Sequence, residues 1–108
     1  MLDFKALLKE RGIPAAVAAF AMAPPKPPYV CILESRETDG ADYKNQLVVR
    51  DVTFELYHAK ETDPAQDTIR KLLDEIGAHY AEETFYHSDI RIYETVFEFE
   101  ILEKTEGA

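Results

Sequence analysis

The stretch Ile90-Arg91-Ile92-Tyr93-Glu94-Thr95-Val96-Phe97-Glu98-Phe99-Glu100-Ile101-Leu102 decides the fold. Taken at period two, Tyr93, Thr95, Phe97, Phe99 and Ile101 point one way, and Glu94, Glu98 and Glu100 point the other. β-Branched and aromatic residues dominate, and no Gly or Pro interrupts the run. This pattern predicts a long strand with one buried and one wet face. Such a strand needs a paired neighbour and a cover for its apolar face, and most of the remaining chain supplies them.

With 108 residues the chain is expected to form one domain, able to bury roughly 65% of its unfolded surface. Its 46% hydrophobic fraction is a globular value. No apolar run approaches the length of a membrane span, and Met1-Leu2-Asp3-Phe4-Lys5 lacks the pattern of a signal peptide, so a cytoplasmic location is expected. Cys31 is the single cysteine, and between Val30 and Ile32 it reads as a buried small hydrophobe. Twelve Lys and Arg stand against 21 Asp and Glu, a net charge of −9. That balance argues against binding nucleic acid through its phosphates. It leaves solubility, a basic partner or nucleic-acid mimicry as reasons for the acidic surface.

In chain order, Leu2–Arg11 reads as a helix with Phe4, Leu7 and Leu8 on one stripe and Gly12 past its end. Ala15–Met22 reads as a short strand around Val17–Phe20, followed by the proline-rich connector Ala23–Pro28. The unbroken apolarity of Tyr29-Val30-Cys31-Ile32-Leu33 predicts a central strand covered on both faces. Glu34–Asp42 reads as an exposed loop, and Tyr43–Tyr57 as an antiparallel, half-buried strand with Val52, Phe54 and Leu56 inside. Asp63, Pro64 and Gln66 form a strong helix start; Ile69, Leu72, Leu73 and Ile76 are its buried stripe, and Gly77 its stop. A short strand over Ala78–Glu83 and a turn over Thr84–Asp89 precede the final strand. The sum is an α+β fold, a single mostly antiparallel sheet of four to five strands with two helices on one face. Residues 2–102 make its core and residues 103–108 a tail outside it.

The residues carry no legible reaction chemistry. His58, His79 and His87 show no metal-ligand spacing and read as solvated, and no phosphate-binding or nucleophile motif occurs. With no such motif, no cofactor or metal is expected. Glu94, Glu98 and Glu100, joined by Asp51 and Glu55 if the strands are neighbours, read as a solvated carboxylate face, one that can also meet a partner. Tyr43, Tyr57, Tyr86 and Tyr93 read as contact residues, a role in which tyrosine is enriched. The candidate interface is therefore Tyr43, Asp51, Glu55, Tyr57, Tyr93, Glu94, Glu98 and Glu100.

Several segments in order carry a resemblance: Gly12-Ile13-Pro14, Pro27-Pro28-Tyr29-Val30, the loop Asp39-Gly40-Ala41-Asp42, and Glu55-Leu56-Tyr57. Leu72-Leu73-Asp74-Glu75, Ile92-Tyr93-Glu94 and Phe97-Glu98-Phe99-Glu100-Ile101 follow. The layout resembles a family of small proteins from the structural-gene clusters of Gram-positive prophages, similar to tail terminator or tail-completion proteins of long-tailed phages. The family usually has a polar or aromatic strand where this chain has Val17-Ala18-Ala19-Phe20-Ala21. The resemblance implies a structural protein without catalysis or cofactor. It implies a homo-oligomeric ring that caps the tail tube and joins the head connector, in the host cytoplasm during assembly and then in the virion. The residues alone leave two other classes open: an acidic protein-binding module, and a small enzyme or carrier, which needs a deep polar pocket.

Overall fold

The computed structural model describes the backbone of residues 1–39 and 45–106, and the side-chain surroundings within them except at 38–39, 45–46 and 104–106. Among these residues two helices and five strands form one α+β unit, in the order α1 (Phe4–Glu10), β1 (Ala15–Val17), β2 (Tyr29–Asp39), β3 (Asn45–His58), α2 (Pro64–Glu75), β4 (Tyr80–His87) and β5 (Ile92–Glu106). The sheet order is β1-β2-β3-β5-β4. Only β1 and β2 pair in parallel; the other neighbours are antiparallel.

Both helices pack on the same face. Phe4 and Leu8 of α1 and Ile69, Leu72 and Leu73 of α2 close over Val30, Ile32, Val52, Phe54, Leu56, Phe97 and Phe99, all of them buried. Phe4, Phe54 and Phe99 meet edge to face with centroids 5.1–5.5 Å apart, the arrangement their ring quadrupoles favour. The helix ends follow from the sequence. Asp63 accepts from the Ala65 N–H at 2.9 Å, the Gln66 side chain accepts from the Asp63 N–H at 2.8 Å, and Pro64 needs no donor there. Gly77 takes φ 72°, which a side chain would strain, and its N–H bonds the Asp74 carbonyl.

Two polar clusters are built into this face. Arg50 is 2% exposed, and its guanidinium lies 4.7 Å from the centre of the Phe4 ring. It donates to Glu34, to Glu103 and to the Leu2 carbonyl, fastening the start of α1 across three strands. Burial alone would lower the Arg50 pKa and raise that of Glu34, but their hydrogen bonds and charges outweigh it, so Arg50 is raised and Glu34 lowered. At the other end His58, fully buried, places Nδ1 2.5 Å from the Lys60 carbonyl and Nε2 2.7 Å from Thr95 Oγ1. A carbonyl only accepts, so Nδ1 carries a proton and donates to it. Thr95 in turn accepts from Gln66 Nε2 at 3.0 Å, with Thr84 Oγ1 at 2.9 Å.

Several expectations need correction. β2 is second in the order rather than central, and it is covered on one face only: Leu33, on the other, is 42% exposed. Apolar composition over five residues did not mean two covered faces. β2 also continues through Glu34 to Asp39 instead of becoming a loop, because β3 is long enough to pair with it all the way. The first strand lies at Ala15–Val17, earlier than Val17–Phe20, and Ala18 at φ 65° ends it. β4 runs through Thr84–His87, where a turn was expected, held by its ladder to β5. The expected tail at 103–108 is strand as far as Glu106, with Glu103 bound to Arg50. His58 is buried, not solvated. The Asp39-Gly40-Ala41-Asp42 loop reaches into residues outside those described.

The strands outrun the helices. β5 at about 3.4 Å per residue extends on the order of 50 Å, while α2 at 1.5 Å per residue covers only about 18 Å. The longest dimension is 49 Å, and the radius of gyration is 15.3 Å, against about 13 Å for a compact chain of this length. A three-strand ribbon of β2, β3 and β5 therefore projects past the helical layer.

Phe97 and Leu72 are packed on all sides. Phe97→Ala should cost about 3–5 kcal/mol and Leu72→Ala about 2–5 kcal/mol in urea unfolding. Losses under about 1 kcal/mol would place these residues outside the core.

Candidate functional site

Among the described residues, no helix lies on the opposite face of the sheet. Cross-strand register places its rows: Tyr29 faces Tyr57 and Cys31 faces Glu55 across β2 and β3. Tyr57 faces Glu94, Thr53 faces Glu98 and Asp51 faces Glu100 across β3 and β5. Phe85 faces Glu94, Glu83 faces Val96 and Ala81 faces Glu98 across β5 and β4. Alternation along each strand keeps all these side chains on one surface.

Of the interface residues expected from sequence, Asp51, Glu55, Tyr57, Glu94, Glu98 and Glu100 are brought together here. Tyr93 is not. It points to the helix side, where it stacks on His58 at 5.8 Å and meets Tyr86 at 4.6 Å. Tyr43 lies outside the described residues.

The surface is less wet than its sequence implies. Glu94, expected on a solvated face, is only 8% exposed. Tyr57 and Phe85 flank it by register, and His87 Nε2 lies 2.7 Å from its Oε1, donating to it. Glu55 is half-buried, and its pKa is raised first by burial, then by its hydrogen bond to Glu94 and by the Glu94 charge. A carboxyl beside a carboxylate keeps its proton to higher pH than an isolated one. Burial and the same two carboxylates also push Cys31 and Tyr57 up. Cys31 is thus held as the thiol. Each of these groups loses its proton less readily because the surface already concentrates negative charge at reduced solvation.

Leu33, Val96 and Phe85, with Thr53 and Ala81, floor an open groove of about 400 Å³ rimmed by Glu55, Glu83 and Glu98. Beside it Tyr29 stacks on Tyr57 at 5.1 Å and meets Phe20 in a T-shaped pair at 5.5 Å. Among the residues of this face whose side-chain surroundings are described, none is Lys or Arg. Among all the described residues, no three His, Cys, Asp or Glu side chains converge as metal ligands, and no helix is long and apolar enough to cross a membrane. A shallow groove of apolar floor and acidic rim suits contact with another macromolecule better than enclosure of a small substrate.

Sequence reasoning missed the part played by His87 and Phe85, because β4 was ended too early. Their spacing of two, continuing from Ala81 and Glu83, was the available signal. No known protein family, curated protein or solved structure matches the chain.

The pKa shift of Glu55 gives a pH prediction. Its folded pKa lies above its unfolded one, so the folded state binds the extra proton, and this group lowers stability as pH rises through the window between the two. Glu55→Gln keeps the hydrogen-bond donor and removes the charge. The stability of Glu55→Gln minus that of the wild type should therefore increase with pH from the ordinary carboxylate range upward and then level off. Urea midpoints between about pH 4 and 8 read this difference. A difference independent of pH would show that Glu55 titrates normally.

Proposed function

We propose that the chain is a tail-completion protein of terminator type, a subunit of a ring that caps a phage tail tube and joins it to the head connector. The observation that carries the reading is the uncovered sheet face, with its apolar floor, acidic rim and the largely buried Glu94, lying opposite the helical layer. A subunit with two unlike broad faces suits the heterologous contacts that close into rings, where a two-fold contact stops at a dimer. The segments quoted above, in their order along the chain, supply the phage-tail resemblance. The projecting ribbon of β2, β3 and β5 adds reach beyond the subunit body, as an assembly part needs.

A second reading is supported by the charge of the same face. Asp51, Glu55, Glu83, Glu94, Glu98 and Glu100 share it, as an acidic module that inhibits a basic partner or mimics nucleic acid would require.

Light scattering coupled to size exclusion separates the two. With −9 on each subunit, ring contacts work against repulsion that salt screens. Mass should rise with protein concentration and further with added salt, because screening the repulsion between −9 subunits outweighs what salt removes from individual exposed ion pairs. A strict monomer at millimolar concentration in both low and high salt would overturn the ring, and a compact two-fold dimer would favour the binding module. Neither reading allows retention of duplex DNA at physiological salt, and a salt-sensitive gel shift would contradict both.

A further inference from the structure

We infer that the acidic groove on the open sheet face receives the α1 flank of a second copy of this chain, with Lys5 and Lys9 against Glu98 and Glu100 and with Phe20 beside the apolar floor. The inference rests on the ring reading and names the two surfaces that would meet.

The α1 flank complements the groove in charge. Lys5 and Lys9 are exposed, and no described carboxylate forms an ion pair with either. The other described Arg side chains on the helix side are mostly engaged: Arg11 with Glu75, Arg50 with Glu34 and Glu103, and Arg70 with Asp67 and Glu82. The flank also has its own shallow apolar depression, in which Ile13, Ala15 and Phe20 lie beside the two lysines. Phe20 is half-buried against Tyr29 and still offers part of its ring.

The spacings agree as well. Lys5 and Lys9 are one turn apart, about 6 Å along the helix axis. Glu98 and Glu100 project from one face of β5 two residues apart, about 6.8 Å. Both carboxylates are exposed, and Asp51 stands opposite Glu100 across the strand pair, so two ammonium groups here would relieve like-charge repulsion. Lys5 and Lys9 belong to the helical side and Glu98 and Glu100 to the open sheet face, while Phe20, which shares a depression with the lysines and touches Tyr29, lies at the β1 edge between them. One copy cannot bring the two charge pairs together, and a chain of copies can.

The test is a charge exchange read by light scattering. Lys5→Glu/Lys9→Glu and Glu98→Lys/Glu100→Lys change only exposed side chains, and urea midpoints close to wild type check that each variant folds. Each variant alone should need about tenfold more protein than wild type for half-assembly. Mixed one to one they should assemble again, because an acidic α1 flank then meets a basic sheet face and the reverse. Net charge alone predicts otherwise: Glu98→Lys/Glu100→Lys makes the chain less acidic than −9 and would assemble better than wild type. If both variants assemble as wild type does, or if the mixture fails to recover, these surfaces are not the contact and the ring reading survives. If the wild type itself stays monomeric at millimolar concentration, the ring reading falls and this inference with it.

Discussion

Both helices lie on one face of a five-stranded sheet, and that one-sidedness governs everything else in the molecule. A sheet with one helical layer hides one set of alternate residues and presents the other. The hidden set is the phenylalanine-rich core of Phe4, Phe54, Phe97 and Phe99. The presented set is neither plain solvent surface nor core. It mixes Leu33, Val96 and Phe85 with carboxylates, and it buries one of them, Glu94, beside His87. Such a surface carries desolvation cost without the hydrophobic gain of a closed core, a condition that a partner relieves by covering the apolar floor and countering the charge.

The covered face spends polar groups to fix its geometry. Arg50 occupies a core position and satisfies its donors only if β2, β3, β5 and the start of α1 are all in register. Removing it would leave Glu34 and Glu103 short of their counter-charge. The His58, Thr95, Gln66 and Thr84 cluster does the same at the opposite end, and Gln66 joins it to the N-terminus of α2 through the capping box. A one-residue slip of β5 would bring Glu94 to the buried face and remove Thr95 from His58. The two clusters thus bracket the apolar core and hold the register that places the carboxylate rows on the far side.

Much of this architecture was legible in the sequence. The alternation Phe97-Glu98-Phe99-Glu100 assigned both faces of β5, and Asp63-Pro64-Ala65-Gln66 located the start of α2 to the residue, because each pattern is a local consequence of backbone geometry. Strand ends were not legible, since a strand continues as long as its neighbour does: Glu34–Asp39 and Thr84–His87 are polar segments held by ladders to β3 and β5. Burial of Glu94 was not legible either. It depends on Tyr57, Phe85 and His87, which reach it from two other strands. Arg50 stands at period two with Val52, Phe54 and Leu56, a signal of a buried charge that the sequence reading did not take up.

The central claim is that the open sheet face becomes covered when copies of the chain associate, and Cys31 reports on that face directly. It is the chain's single cysteine, half-buried on β2 opposite Glu55 and next to the groove. The most direct measurement is the rate of Cys31 alkylation at alkaline pH, followed across the range of protein concentration over which the mass rises. The rate should fall in step with the gain in mass. A rate that stays constant while the protein assembles would show that the sheet face remains open and that association uses another surface.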